Sequence, residues 1–162
     1  MSPVEVARTV RLRLAAELAD DRAALAILAQ AIVSLIAPAP DARGEWMRSL
    51  ALAFEVERYY TAVEALLARA LRAIDGDAPA SGAWHQELLR GASVGIDGGR
   101  PALLSRAAAN DLRELLKFRH LARHGYEVEP ELGRMVEHAE RIGRAHADLE
   151  GSLAAFDAWL RS

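Results

Sequence analysis

The chain has 162 residues, 52% of them hydrophobic but only 6% aromatic, so one domain's worth of chain draws its apolar content from alanine and leucine, a balance that favours helices over strands. Cysteine is absent, which excludes a disulfide scaffold, a cysteine-ligated metal and a thiol nucleophile. The formal net charge of -3 argues against a protein that coats nucleic acid through global positive charge. The start, Met1-Ser2-Pro3-Val4-Glu5, is not a basic region ahead of an apolar run. The most apolar stretch, Ala23 to Ala39, is interrupted by Gln30 and Ser34 and ends in prolines, too short and polar to span a membrane. A soluble cytoplasmic protein is the expectation.

In chain order, the first predicted helix runs from about Pro3 to Ile36, apolar at Val6, Val10, Leu14, Leu18, Leu25, Leu28, Ile32 and Leu35. It is long enough that Asp20-Asp21 could hide a break. The second, about Ala42 to Ile74, carries Leu52, Val56, Tyr59, Val63, Leu66, Leu67, Ala70 and Ile74. A short third covers Trp84 to Leu89, with Trp84 read as a core or anchor residue and His85 as a surface one. The fourth begins with Pro101 at the first helical position and carries Leu104, Ala108, Leu112, Leu115 and Leu116. The fifth opens at Pro130, with a seam at Leu132, Met135, Ala139, Ile142, His146, Leu149, Leu153, Phe156 and Leu160 that steps by three and four. That seam suits helix packing along its whole length, in the intrachain core or between two copies. The expected fold is all-α, a bundle of four or five helices.

Proton transfer near neutral pH falls first to histidine, and five are present: His85, His120, His124, His138 and His146. Two crowd the end of the fourth helix, where Arg119 and His124 form an Arg-x-x-x-x-His pair followed by Tyr126. The bare pair is expected roughly 0.6 times by chance in this composition, and roughly 0.01 times with a tyrosine two positions on. A second pair, Arg141 and His146, lacks that tyrosine and lies in the apolar seam; it reads as a chance match. Gly125 is a natural residue to follow a helix end, which places His124 in the last turn, where the helix dipole favours the imidazolium. On an ideal helix Arg119 and His124 project about 140° apart, so they converge only at a distorted end or across a cleft closed by another surface. Local chemistry alone fits a solvated basic helix end with a capping histidine equally well.

Phe118-Arg119-His120-Leu121-Ala122-Arg123-His124-Gly125-Tyr126 resembles the signature of HepT-like ribonuclease toxins of the HEPN superfamily. Trp84-His85-Gln86-Glu87-Leu88-Leu89, Arg100-Pro101-Ala102-Leu103-Leu104-Ser105 and Tyr59-Tyr60-Thr61-Ala62-Val63-Glu64 resemble that group too, covering about residues 45 to 130 in the expected order. The resemblance implies one HepT-like domain over residues 1–162, a HEPN helical bundle, a homodimer with two Arg/His pairs facing across a cleft, and metal-independent cleavage of RNA by its own 2′-hydroxyl. It makes His124 the general acid or base and Arg119 the group that neutralises phosphoryl charge, with His120 at the polar position that often follows the arginine. Beside that resemblance, Arg123, Lys117 and Glu64 are read from the residues themselves as candidates for supporting or RNA-binding roles. The resemblance also implies a partner, a minimal nucleotidyltransferase antitoxin of the MntA type, that uses ATP to AMPylate Tyr126. The alternative is a non-catalytic helical partner of such a nucleotidyltransferase.

Glu64 sits among Tyr60, Val63 and Leu67 and needs a partner, for which Arg119 or another arginine is the obvious candidate. His138 reads as a solvated helix residue. Gly95-Ile96-Asp97-Gly98-Gly99 lacks the lysine and the strand of a phosphate-binding loop, and no His/Asp/Glu cluster has metal spacing, so neither a cofactor nor a metal is expected. The charge is unevenly placed: Arg113, Lys117, Arg119 and Arg123 face one acid, Glu114, before Glu127, Glu129 and Glu131 restore the balance. That leaves room for a local positive cleft on an acidic body.

Overall fold

The computed structural model describes residues 2–76, 83–124 and 131–162, and for 3 and 119–124 the backbone alone. Every regular element described is a helix: α1 Pro3–Ser34, α2 Ala42–Asp75, α3 Trp84–Ala92, α4 Arg106–His124 and α5 Leu132–Arg161. None is long and apolar enough to cross a membrane.

Cross-helix pairs fix the directions. Arg11 reaches the Trp159 carbonyl and Arg22 forks onto Glu150 at 3.1 and 3.0 Å, so α1 and α5 run antiparallel. Arg69 to Asp21 at 2.7 Å and Arg48 to the Leu35 and Ile36 carbonyls make α1 and α2 antiparallel. Arg141–Asp111 and Phe118–His138 do the same for α4 and α5. The helices α2 and α5 pack on each other, α1 and α4 each pack on both, and among the described residues α1 and α4 do not pack together. The section is a rhombus with α2 and α5 on its short diagonal, and α3 fills the space beside α2 and α4.

The helices start and stop where local chemistry dictates. Ser2 and Glu5 form a capping box ahead of Pro3. Asp41 caps α2 by accepting from Gly44 N–H at 2.7 Å, and α2 ends on Gly76 at φ 81°, where a side chain would be strained. The helix α1 is unbroken at Asp20-Asp21, because Asp21 is tied to Arg69 while Leu14, Leu18, Leu25 and Ile32 carry one buried stripe through the site. Its first turns overhang the core, leaving Val6 exposed. From α2, Leu52, Val56, Tyr59, Val63, Leu66, Leu67 and Ala70 are buried as expected. The α5 seam lies in the core of the single chain, with Met135, Ala139, Ile142, Leu149, Leu153, Phe156 and Leu160 all buried.

Two starts differ from the sequence expectation. The helix α5 begins at Leu132, not Pro130. Pro101 does not open α4: residues 101–105 form an ordered approach, and Ser105 caps α4 through its hydroxyl, which accepts from Ala108 N–H at 3.0 Å. The approach is held because the N–H groups of Leu103 and Leu104 both donate to the Ala92 carbonyl, at 2.8 and 3.1 Å.

Candidate functional site

The helix α4 carries Arg119, His120, Arg123 and His124 on its last described turns, as far as His124; Gly125, expected to follow the helix end, lies outside the described residues. Tyr126 lies outside the described residues. Lys117, one turn earlier, is exposed and its ammonium is 2.6 Å from Glu114. An exposed pair of this kind contributes little and gives way readily to another anion.

Glu64 is only 5% exposed on α2, among the buried side chains of Tyr60, Val63 and Leu67. Among the described residues Glu64 Oε1 and His85 Nδ1 share a hydrogen bond; the side chain of Arg119, the partner expected from the sequence, lies outside the description. His85 is half-buried, with 27% of its side chain still exposed. Trp84 lies against it, ring centroids 3.8 Å apart and the planes tilted by 32°, so the first turn of α3 presents two rings in contact, backed by a buried carboxylate. The carboxylate fixes the orientation of the imidazole. Sequence spacing gave no signal for this pair, since α3 reaches α2 only through the fold. Glu64 and Lys117 are not joined to one another; each has its own counter-charge.

The other described histidines are structural. His146 Nδ1 is 3.1 Å from the Tyr59 hydroxyl, with the rings edge to face, and Arg141 binds Asp111 instead of approaching it. His138, expected to be solvated, packs against Phe118 with ring centroids 4.7 Å apart, and its buried Nδ1 has no hydrogen-bond partner among the described residues. Burial lowers the pKa of both His138 and His146, with Arg141 adding to the effect at His138 and Glu150 opposing it at His146. The folded chain therefore binds fewer protons at these rings than the unfolded chain, whose imidazoles titrate near 6.5. Their contribution to stability is full above that pH and falls away below it. The melting temperature is expected to drop between pH 7 and 5, and to drop less in the His138→Leu/His146→Gln double variant. Equal slopes in thermal melts would refute the assignment.

No group of three or more His, Asp or Glu side chains among the described residues is placed to hold a metal ion. The described residues thus form a five-helix HEPN-type bundle in which the Arg-x-x-x-x-His pair lies on the last described turns of α4. Residues 51–160 match the family described as HepT-like protein, and the chain belongs to that HepT-like family of the HEPN superfamily. No curated protein and no solved structure matches it.

Proposed function

We propose that the chain, acting as one HepT-like domain, is a toxin-type endoribonuclease that works as a homodimer and needs no metal. The observation that carries this reading is the coincidence of HepT-like family membership with an intact Arg119/His124 pair on the last described turns of α4. Packing of α1 onto α2 and α5 supports including the residues ahead of the matched region in the same domain.

The chemistry follows from the residue types. The 2′-hydroxyl oxygen of the RNA bonds to the adjacent phosphorus, and the bond from phosphorus to the 5′-oxygen breaks. The products are a 2′,3′-cyclic phosphate and a 5′-hydroxyl. His124 accepts the 2′-hydroxyl proton or supplies one to the departing 5′-oxygen, as imidazole can near neutrality. Arg119 offers a planar two-pronged donor to the phosphoryl oxygens as their charge builds. The second subunit supplies the surface that brings the two groups to one phosphate, since they project about 140° apart on one helix. The purified protein is expected to cut RNA in EDTA, leaving cyclic phosphate ends, and to leave an all-deoxy strand of the same sequence intact. Cleavage of the deoxy strand, or no cleavage of RNA, would overturn the reading.

Control falls to Tyr126. An antitoxin nucleotidyltransferase of the MntA type joins the tyrosine oxygen to the α-phosphorus of ATP, with pyrophosphate leaving and the phenol proton passing to solvent. The added phosphate repels RNA from the cleft. Incubation with such an enzyme and ATP is expected to raise the intact mass in steps of AMP and to silence cleavage, with no increase in the Tyr126→Phe variant. An increase that survives Tyr126→Phe would remove Tyr126 from this role.

A further inference from the structure

A groove of about 570 Å³ opens between the end of α3 and the first turns of α4, lined by Arg90, Ser93, Val94, Arg106, Asn110 and Arg113 along with Ala109. Its lining holds three guanidinium groups and no carboxylate. Asp75 is paired with Arg100, Asp111 with Arg141, and Glu114 with Lys117. Arg90 and Arg106 have no ion pair among the described residues, and Arg113 donates only to the Asn110 amide oxygen. A cavity whose charged groups are all cationic donors selects a multiply charged anion with several acceptor oxygens. Without an aromatic ring in the lining to stack a base, it reads phosphate and not sequence.

The register of α4 ties the groove to the end of the helix. Positions 106, 113, 117 and 124 fall within about 40° of one another at 100° per residue, along about 27 Å of axis. The groove, the exposed ammonium of Lys117 and position 124 therefore form one line on the helix. We infer that the groove is a phosphate-backbone subsite that holds the RNA strand several nucleotides from the scissile bond. The assignment of RNA as occupant rests on the ribonuclease reading above; the preference for a polyanionic phosphate rests on the groove itself.

The test uses the full chain and a fluorescent 2′-O-methyl oligonucleotide, which has no free 2′-hydroxyl and is not cut, with anisotropy read across a salt series. Arg106→Ala/Arg113→Ala is expected to weaken binding about tenfold or more. The slope of log affinity against log salt is expected to fall by about 1.4, or about 0.7 for each lost phosphate contact. Arg106→Lys/Arg113→Lys keeps most of the slope. Arg8→Ala/Arg144→Ala, an equal change of charge at exposed positions outside the groove, leaves binding near wild type. If the groove variant binds and responds to salt like the Arg8/Arg144 control, the inference is overturned. The same holds if the variant loses affinity for tripolyphosphate but not for the oligonucleotide. Cleavage of all-ribose RNA, scored in parallel, separates the two readings. A wild type that cuts RNA with groove-independent binding removes only the subsite, and groove-dependent binding without cutting removes only the ribonuclease.

Discussion

Replacing His124 with alanine is expected to slow RNA cleavage by about 10²- to 10⁴-fold, the range for loss of a positioned proton-transfer group. Arg119→Ala is expected to cost about 10²- to 10³-fold, as when one charge-stabilising donor is removed from a transition state. The two losses differ in kind. An imidazole that moves a proton contributes little to holding the strand, so His124→Ala leaves oligonucleotide affinity near wild type. A guanidinium that holds phosphate contributes to both, and Arg119→Lys, which keeps the charge without the fork, falls between wild type and alanine. Single-turnover rates and anisotropy separate these effects, and thermal melts check that each variant folds. Rates within about threefold of wild type for either alanine variant would remove that residue from the chemistry.

Mixing the two inactive variants asks more. If Arg119 of one subunit works with His124 of the other, half of a randomly mixed population is heterodimer. Each such dimer has one complete site and one empty one, giving on the order of a quarter of wild-type activity from two dead proteins. If the pair acts within one chain, mixing restores nothing. The 140° separation on α4 favours the first outcome.

Much of the fold was legible because its signal is periodic and local. The buried face of α2 could be read position by position, and the α5 seam likewise, with one instructive departure. In the turn around His146 it is Ala145 that is buried, while the imidazole stands half out against the Tyr59 hydroxyl. A seam spaced at 3.5 residues drifts around a helix of 3.6, and a polar ring is tolerated there because a distant helix supplies its partner. The departures at the other histidines share that cause. How His85 is held depends on Glu64, 21 positions away, and whether His138 is solvated depends on Phe118. The candidate site divides in the same way: the Arg119/His124 spacing is a feature of sequence. The guanidinium groups of Arg90, Arg106 and Arg113 form one groove only because α3 packs on α4.

Pro101 was misread because a local signal met a long-range constraint, and that constraint yields the largest expected loss of stability. Arg100 is 4% exposed. Its guanidinium forks onto Asp75 at the end of α2, at 2.7 and 2.9 Å, and also donates to the carbonyls of Gly91, Val94 and Pro101. One side chain thus satisfies acceptors at the ends of α2 and α3 and in the approach to α4, where a cation also complements the helix dipoles. Arg100→Ala leaves the Asp75 carboxylate and three carbonyls without their donor, and because Asp75 and Val94 stand open to water the cost is about 1–3 kcal/mol. For a chain of this size that lowers the melting temperature by roughly 5 °C. Arg100→Lys keeps the charge but not the geometry, since three donors on one nitrogen cannot span acceptors on two helices and a loop; it is expected to recover less than half of the loss. A melting temperature within about 2 °C of wild type for Arg100→Ala would show that the approach to α4 is held by the burial of Leu103 and Leu104 alone. Because the same approach sets where α4 begins, the alanine variant should also lose oligonucleotide affinity at temperatures where it remains folded. Loss of affinity without loss of stability would place Arg100 in the binding surface and not beneath it.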